Sequence, residues 1–364
     1  MPAAKQRSAA HARAGRPRYW LRRLSTVGAV AVVAVGVVAF SYTGHHEKHR
    51  HHKAPPTTTS SSAPSTTQPP AGPPYAVGIV SVNIVSNGNV LSTNIRYPTL
   101  GPPGSADISG ATPDRAGGPY PLVVFSQGFD IDPEAYAAIL QAWAAAGYVV
   151  ADPTYPHTDA NAPDGLNRGD LVNHPADLNG VITQILSYGT SPGTLDGVIN
   201  TSQVAVAGHS DGGDVSLAVV ANSLYVDAAT HVKAAVIFSG AEYAPFGGTY
   251  FSPGAPSVPM LLTQGTSDTI NPPSCSVQIY NSAPPPKYYL YLYGAGHHSP
   301  YLYPTPYERT VIAVSTDFLN NVLKHEHSAL SAMENAGSVQ GVSSITSAPS
   351  VPEVAGACPG APPG

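Results

Sequence analysis

From residue 75 onward, the hydrophobic and polar positions switch between two periods. Residues 77–85 and 91–97 alternate at period two and predict a β-hairpin. Residues 121–126 form an apolar, β-branched run, the signature of a strand buried on both faces. Residues 133–146 follow helical spacing, with Asp132 as the expected N-cap. The pattern then repeats: strand 148–151, helix 173–187, strand 203–207, helix 211–221. Strands at 233–238, 259–263 and 287–293 follow, and a helix at 306–324 closes the series. Strands alternating with helices predict an α/β fold, a mostly parallel central sheet with helices on both faces. The folded domain is expected over 75–327, and the Ser-, Ala-, Gly- and Pro-rich stretch 328–364 reads as an irregular C-terminal tail.

The first 74 residues differ in kind. Residues 1–23 carry seven cations and no acid, and an apolar run covers 24–42. About 20 apolar residues can cross a bilayer as a helix. Cations on one side place the N-terminus in the cytoplasm and the rest outside, so the membrane is an expected partner through this segment. Two readings stand: an uncleaved anchor, favoured by the length of the run, or a cleaved signal peptide ending near Ala39-Phe40-Ser41. Both imply export, either anchored facing outward or secreted. Residues 43–74 form a linker, His-rich at 45–52 and then almost all Thr, Ser and Pro. Such composition cannot bury a core. The histidines read as a solvated low-complexity stretch, with metal binding as the alternative.

Charge is divided unevenly. Ten of the 17 Lys and Arg fall within the first 53 residues, leaving seven cations against 21 acids in the remainder. Too few cations remain on the folded part to neutralise phosphates, so nucleic acid is excluded as a partner. An exported chain meets an oxidising environment, so the two cysteines, Cys275 and Cys358, are expected to pair.

Residues 208–213 read Gly-His-Ser-Asp-Gly-Gly, a G-x-S-x-G motif directly after strand 203–207 and directly before helix 211–221. That context marks Ser210 as a nucleophile lifted out of the sheet on a strained turn. Gly208 and Gly212 would let strand and helix approach closely. A helix N-terminus beneath the serine favours developing negative charge. A serine hydroxyl needs a base to take its proton, and the partners of such elbows follow in the order serine, acid, histidine. His297 and His298 lie in a Gly-Ala-Gly-His-His-Ser loop after strand 287–293, at the same end of the sheet as the elbow. His297, first after the glycine turn, is the expected base, with His298 the alternative. His325 and His327 end a long helix and face the tail. Asp268 follows strand 259–263, the strand next before the histidine loop, and is the expected acid; Glu242 also follows a strand end. The oxyanion hole should use the backbone N–H of Asp211 and that of Phe129, in the loop Ser-Gln-Gly-Phe-Asp after strand 121–126. This chemistry requires no metal and no cofactor, and Asp130, Asp132, Asp164 and Asp170 form no recognisable calcium loop.

The aromatic, Gly-rich segment 243–251 follows a strand end and is expected to give substrate-binding residues, Tyr243 and Phe246, beside Phe129. Tyr250, Phe251, Tyr301 and Tyr303 raise the same question. The alternative for this segment is a loop packed on the domain by its own aromatics. With few cations to greet an acidic substrate, a neutral small-molecule or lipid-like ester fits best, and a monomer is expected.

The stretches "PLVVFSQGFD", "WAAAGYVVADPTYPH", "DLNGVITQIL", "GHSDGG", "LLTQGTSDTINPP" and "GAGHHSPY" resemble the α/β-hydrolase superfamily over roughly residues 75–325. The likeness is to secreted bacterial esterases of the dienelactone-hydrolase-like and platelet-activating-factor-acetylhydrolase-like group. Chlorophyllases and cutinase-type polyester hydrolases are neighbours. The resemblance implies nucleophile, acid and base at Ser210, Asp268 and His297, oxyanion donors at Phe129 and Asp211, and hydrolysis of carboxylic esters through an acyl-enzyme. The chain departs from these families at four places. Gln127 stands where many members have His, the nucleophile is Ser where true dienelactone hydrolases use Cys, and Asp211 and Ala241-Glu242 replace the Met and Trp usual in polyester hydrolases. Two alternatives remain: a thioesterase or peptidase using the same triad, and a non-catalytic surface protein on a hydrolase scaffold.

Overall fold

The computed structural model describes residues 73–254, 257–349 and 358. The basic N-terminus, the apolar run 24–42 and the linker through residue 72 lie outside the described residues, as do 350–357 and 359–364. Among the described residues, no helix is long and apolar enough to cross a membrane.

The chain begins with an antiparallel hairpin, β1 (Ala76–Ser86) and β2 (Asn89–Thr99). Its turn is Asn87-Gly88, both at positive φ, as a two-residue hairpin requires. A two-residue strand, β3 (Ile108–Ser109), borders β1. The parallel part follows: β4 (Tyr120–Ser126), β5 (Val149–Pro153), β6 (Ile199–His209), β7 (Val232–Phe238), β8 (Met260–Gly265) and β9 (Lys287–Leu292). Among the described residues ten strands form one sheet in the order β10-β9-β8-β7-β6-β4-β5-β2-β1-β3, where β10 is Ser343–Thr346. Helices α1 (Ala137–Ala145), α2 (His174–Tyr188), α3 (Asp211–Ala221), α4 (Pro273–Ser282), α5 (Pro306–Leu323) and α6 (Ser328–Gly337) complete the series.

The central strands read as continuous apolar runs because each one feeds two cores. In β4, Leu122 and Val124 join one core while Val123 and Phe125 join the other. In β6, Val204 and Val206 oppose Ala205 and Ala207 in the same way. The first core is closed by α2, α3 and α4, the second by α1, α5 and α6. This is the doubly covered sheet of an α/β fold.

The strand order reverses at β4. The chain runs from β4 outward to β5, then returns to place β6 on β4's other side. Loops leaving the carboxyl ends of β4 and β6 therefore diverge, and the crevice between them is where such sheets bind ligands.

Two expectations are corrected. The tail after 328 is not wholly irregular, since α6 buries Ala329 and Met333, and β10 pairs antiparallel with β9. Its small residues hid a helical stripe: at Gly337 an added Cβ would press on Ile345 and Leu290, so the glycine allows the helix close to the sheet. Helix α4 also escaped the pattern, because its buried face includes Cys275 and Ser276 among the apolar positions. The helix expected over 133–146 begins as a 3₁₀ turn, Pro133–Tyr136, before α1, with Asp132 capping it through Glu134 N at 2.9 Å.

Cys275 of α4 is bonded to Cys358, 83 positions further along the chain, with 5.2 Å between their Cα atoms. Closing a loop of that length removes entropy from the unfolded chain worth about 4.5 kcal/mol at most. Reduction, or Cys358→Ser, is expected to lower Tm by up to about 10 °C. A melting temperature unchanged by reductant would refute a stabilising bridge.

Candidate active site

β6 ends at His209 and α3 starts at Asp211, leaving Ser210 alone at the turn. Its backbone sits at φ 55° and ψ −125°, a conformation that L-residues avoid. Two close approaches hold it there. A Cβ on Gly208 would run into the backbone of Gly212, and a Cβ on Gly212 into the Ser126 and Gln127 carbonyls. The Ser210 N–H donates to Phe238 O of β7 at 2.9 Å, and its carbonyl accepts from Asp214 N at 3.0 Å.

Asp268 sits in the turn after β8, fastened at both oxygens. Oδ1 accepts from Ile270 N at 2.9 Å and from Asn271 N at 3.0 Å. Oδ2 accepts from Gln264 Nε2 at 3.0 Å and from His297 Nδ1 at 2.8 Å. A carboxylate only accepts, so His297 carries its proton on Nδ1 and leaves Nε2 as the basic nitrogen. His297 and Ser210 line one cavity of about 450 Å³, whose apolar lining includes Phe129, Ile131 and Ile270. His298 lines the cavity as well, but the carboxylate bond belongs to His297. Glu242 is bonded to Gln278 instead.

The loop after β4 lines the same cavity through Phe129, Asp130 and Ile131. The Gly128 N–H donates to Tyr136 Oη at 3.1 Å, and Asp130 N to Thr158 O at 2.9 Å. The Phe129 N–H between them has no acceptor among the described residues. Asp211 opens α3, where N–H groups have no acceptor within the helix. Both groups belong to residues that line the cavity.

Other expected pocket residues lie elsewhere. Tyr243 and Phe246 are only 2% and 3% exposed and pack edge to face in the core, so their rings cover the domain rather than line the cavity. Their expected role in binding substrate is therefore corrected: an aromatic loop after a strand end buried its own rings. Tyr250 and Phe251 pack against the same core. Tyr301 is buried, its hydroxyl held by Ser239 and Thr263 at 3.0 Å each, whereas Tyr303 is exposed.

Sequence reasoning missed a buried relay. Tyr136 Oη, accepting from Gly128, donates to His209 Nδ1 at 2.8 Å. His209 Nε2 then donates to the His297 carbonyl at 3.0 Å. One tyrosine and one histidine thus tie the Gly128 loop, the elbow and the histidine loop together. Burial, with His297 and His298 adding to it, pushes the His209 imidazole well below its ordinary value, so it stays neutral. Neutrality suits the relay, which needs one nitrogen to accept and the other to donate. Arg168 was missed too. It lines the cavity and forms an ion pair with Asp211. No spacing in the sequence signals either contact.

A family model described as Chlorophyllase matches residues 81–239. That span includes Phe129, Ser210 and Asp211 and ends before Asp268 and His297. No curated protein matches the chain.

Below about pH 6.5 an unfolded chain protonates His209 while the folded chain does not. The unfolded state then binds more protons, so stability is present above that pH and lost as pH falls. Tm is expected to drop between pH 7 and 5, and less so in His209→Gln. Tyr136→Phe removes the hydroxyl that serves both Gly128 and His209 and is expected to cost about 1–3 kcal/mol in denaturant unfolding. A cost below about 0.5 kcal/mol would show that the relay is not a stabilising tie.

Proposed function

We propose that this α/β-hydrolase domain, chlorophyllase-like over residues 81–239, is a serine hydrolase that cleaves neutral carboxylic esters through an acyl-enzyme on Ser210. The reading is carried by the 2.8 Å bond from His297 Nδ1 to Asp268 Oδ2, made by a histidine that shares one cavity with Ser210 at its strained turn. In this reading His297 Nε2 takes the Ser210 proton as Oγ attacks the carbonyl carbon. Asp268 fixes the tautomer and stabilises the imidazolium. The Phe129 and Asp211 N–H groups receive the oxyanion, each worth roughly 3–4 kcal/mol in the transition state. His297 then protonates the departing alcohol, and water, activated by the same nitrogen, releases the acid.

The lining supports a modest acyl group. A cavity of about 450 Å³ with Phe129, Ile131 and Ile270 on its walls suits an uncharged, partly apolar ester. The cationic leader and apolar run support export, and a disulfide to Cys358 is compatible with an oxidising destination.

A panel of p-nitrophenyl esters of increasing acyl length tests the reading, and short to medium chains are expected to turn over. Ser210→Ala should fall by about 10⁴-fold or more in kcat, and Asp268→Asn by about 10²–10⁴-fold. A fluorophosphonate should label wild type and not Ser210→Ala. Turnover confined to thioesters or peptides would assign the same triad to a different acyl group, and labelling that persists in Ser210→Ala would overturn the nucleophile.

A further inference from the structure

We propose that Arg168 is a positioning residue that neutralises the Asp211 carboxylate, which would otherwise oppose the negative charge developing on the substrate oxygen; this rests on the acyl-transfer reading of Ser210. Asp211 has two opposed roles. Its backbone N–H is the donor next to the nucleophile, yet its side chain brings a carboxylate to the first turn of α3. That carboxylate competes for the same positive helix end that should favour the oxyanion.

Arg168 answers this charge from a distant part of the chain. It begins the 3₁₀ turn Arg168–Asn173, in the connection between β5 and α2. Its Nε donates to Asp211 Oδ2 at 2.8 Å and its Nη2 to Oδ1 at 2.7 Å, a bidentate fork that occupies both oxygens. The Asp211 side chain is 6% exposed and that of Arg168 16%, so solvent screens the pair little. The guanidinium carbon also stands 5.7 Å from the Tyr243 ring centroid, a cation–π contact that supports it from behind. Tyr243, expected to touch substrate, instead supports the residue that does line the cavity.

The neighbouring carboxyl does not alter the balance. Asp214, one turn into α3, is buried and accepts from Ala241 N at 2.6 Å. Burial first, and the nearby Asp211 charge second, push it well above the ordinary carboxylate range. Of the two carboxyls in the first turn of α3, the charge facing the cavity therefore belongs to Asp211, and Arg168 is its partner, while Asp130 lines the cavity from the loop after β4.

The experiment compares Arg168→Met, Arg168→Gln, Arg168→Lys and the double variant Arg168→Met/Asp211→Asn in the full chain. Two rates are read per folded molecule: kcat on p-nitrophenyl butyrate, and labelling of Ser210 by a neutral fluorophosphonate, whose transition state places charge in the same oxyanion site. Arg168→Met and Arg168→Gln are expected to lose about 10- to 100-fold in kcat and in labelling rate, with KM within about threefold of wild type. Arg168→Lys, which keeps the charge, should stay within about fivefold. The double variant should regain at least tenfold over Arg168→Met, because the uncompensated charge is gone. Wild-type rates in Arg168→Met overturn the proposal. If that variant does not fold, wild-type rates in Arg168→Gln overturn it equally. A double variant no faster than the single one overturns it too, leaving Arg168 a structural tie. Wild type that labels but hydrolyses no ester defeats the ester reading alone, and the labelling ratios still decide the role of Arg168. Wild type that does neither overturns both.

Discussion

The junction between β6 and α3 cannot be relaxed without moving everything around it. A serine at φ 55° carries backbone strain on the order of 1–3 kcal/mol, and it persists only where its surroundings over-determine it. Here they do. Gly208 and Gly212 admit backbone where any Cβ would collide, and the Ser210 N–H is tied to β7 through Phe238. The turn sits where the strand order reverses, so the loops leaving β4 and β6 spread apart and leave room for a cavity. The close approach that strains the serine also brings α3's first N–H groups and the Gly128 loop to the same place.

A second layer of buried polar groups sets the rest of the site against this junction. Asp268 is fixed by four donors, one of them His297. His209 and Tyr136 connect the loop after β4 to the histidine loop through two nitrogens and one hydroxyl. Because these groups are buried, each lost bond leaves a partner unsatisfied at a cost of about 1–3 kcal/mol. Most of the groups that hold this geometry, Gln264, Tyr136 and His209 among them, lie outside the proposed triad. The bidentate pair between Arg168 and Asp211 adds an electrostatic layer to the same region, joining the segment before α2 to the elbow.

Much of the candidate site was legible in the sequence, for reasons that were local. Ser210 announced itself because a strand, a Gly-x-Ser-x-Gly turn and a helix are contiguous. Asp268 and His297 could be picked out because parallel strands deliver their following loops to one end of the sheet, and the structure places them 2.8 Å apart. Tyr243 and Phe246 misled because aromatic residues after a strand end look alike whether they line a pocket or close a core. The stretch after residue 328 misled because small residues in α6 conceal a buried stripe.

By itself the sequence determined the alternation of the central strands with most of their helices, the two-sided burial of those strands, the elbow and the candidate acid and base. All of these rest on periodicity and chain order, which a one-dimensional pattern records. Only the tertiary structure decided that Arg168 meets Asp211 across 43 residues, that Tyr136 meets His209 across 73, and that the aromatic loop after β7 turns inward. Such contacts depend on which loops the sheet order brings together and which way a side chain then faces. Neither is written in the spacing of residues along the chain.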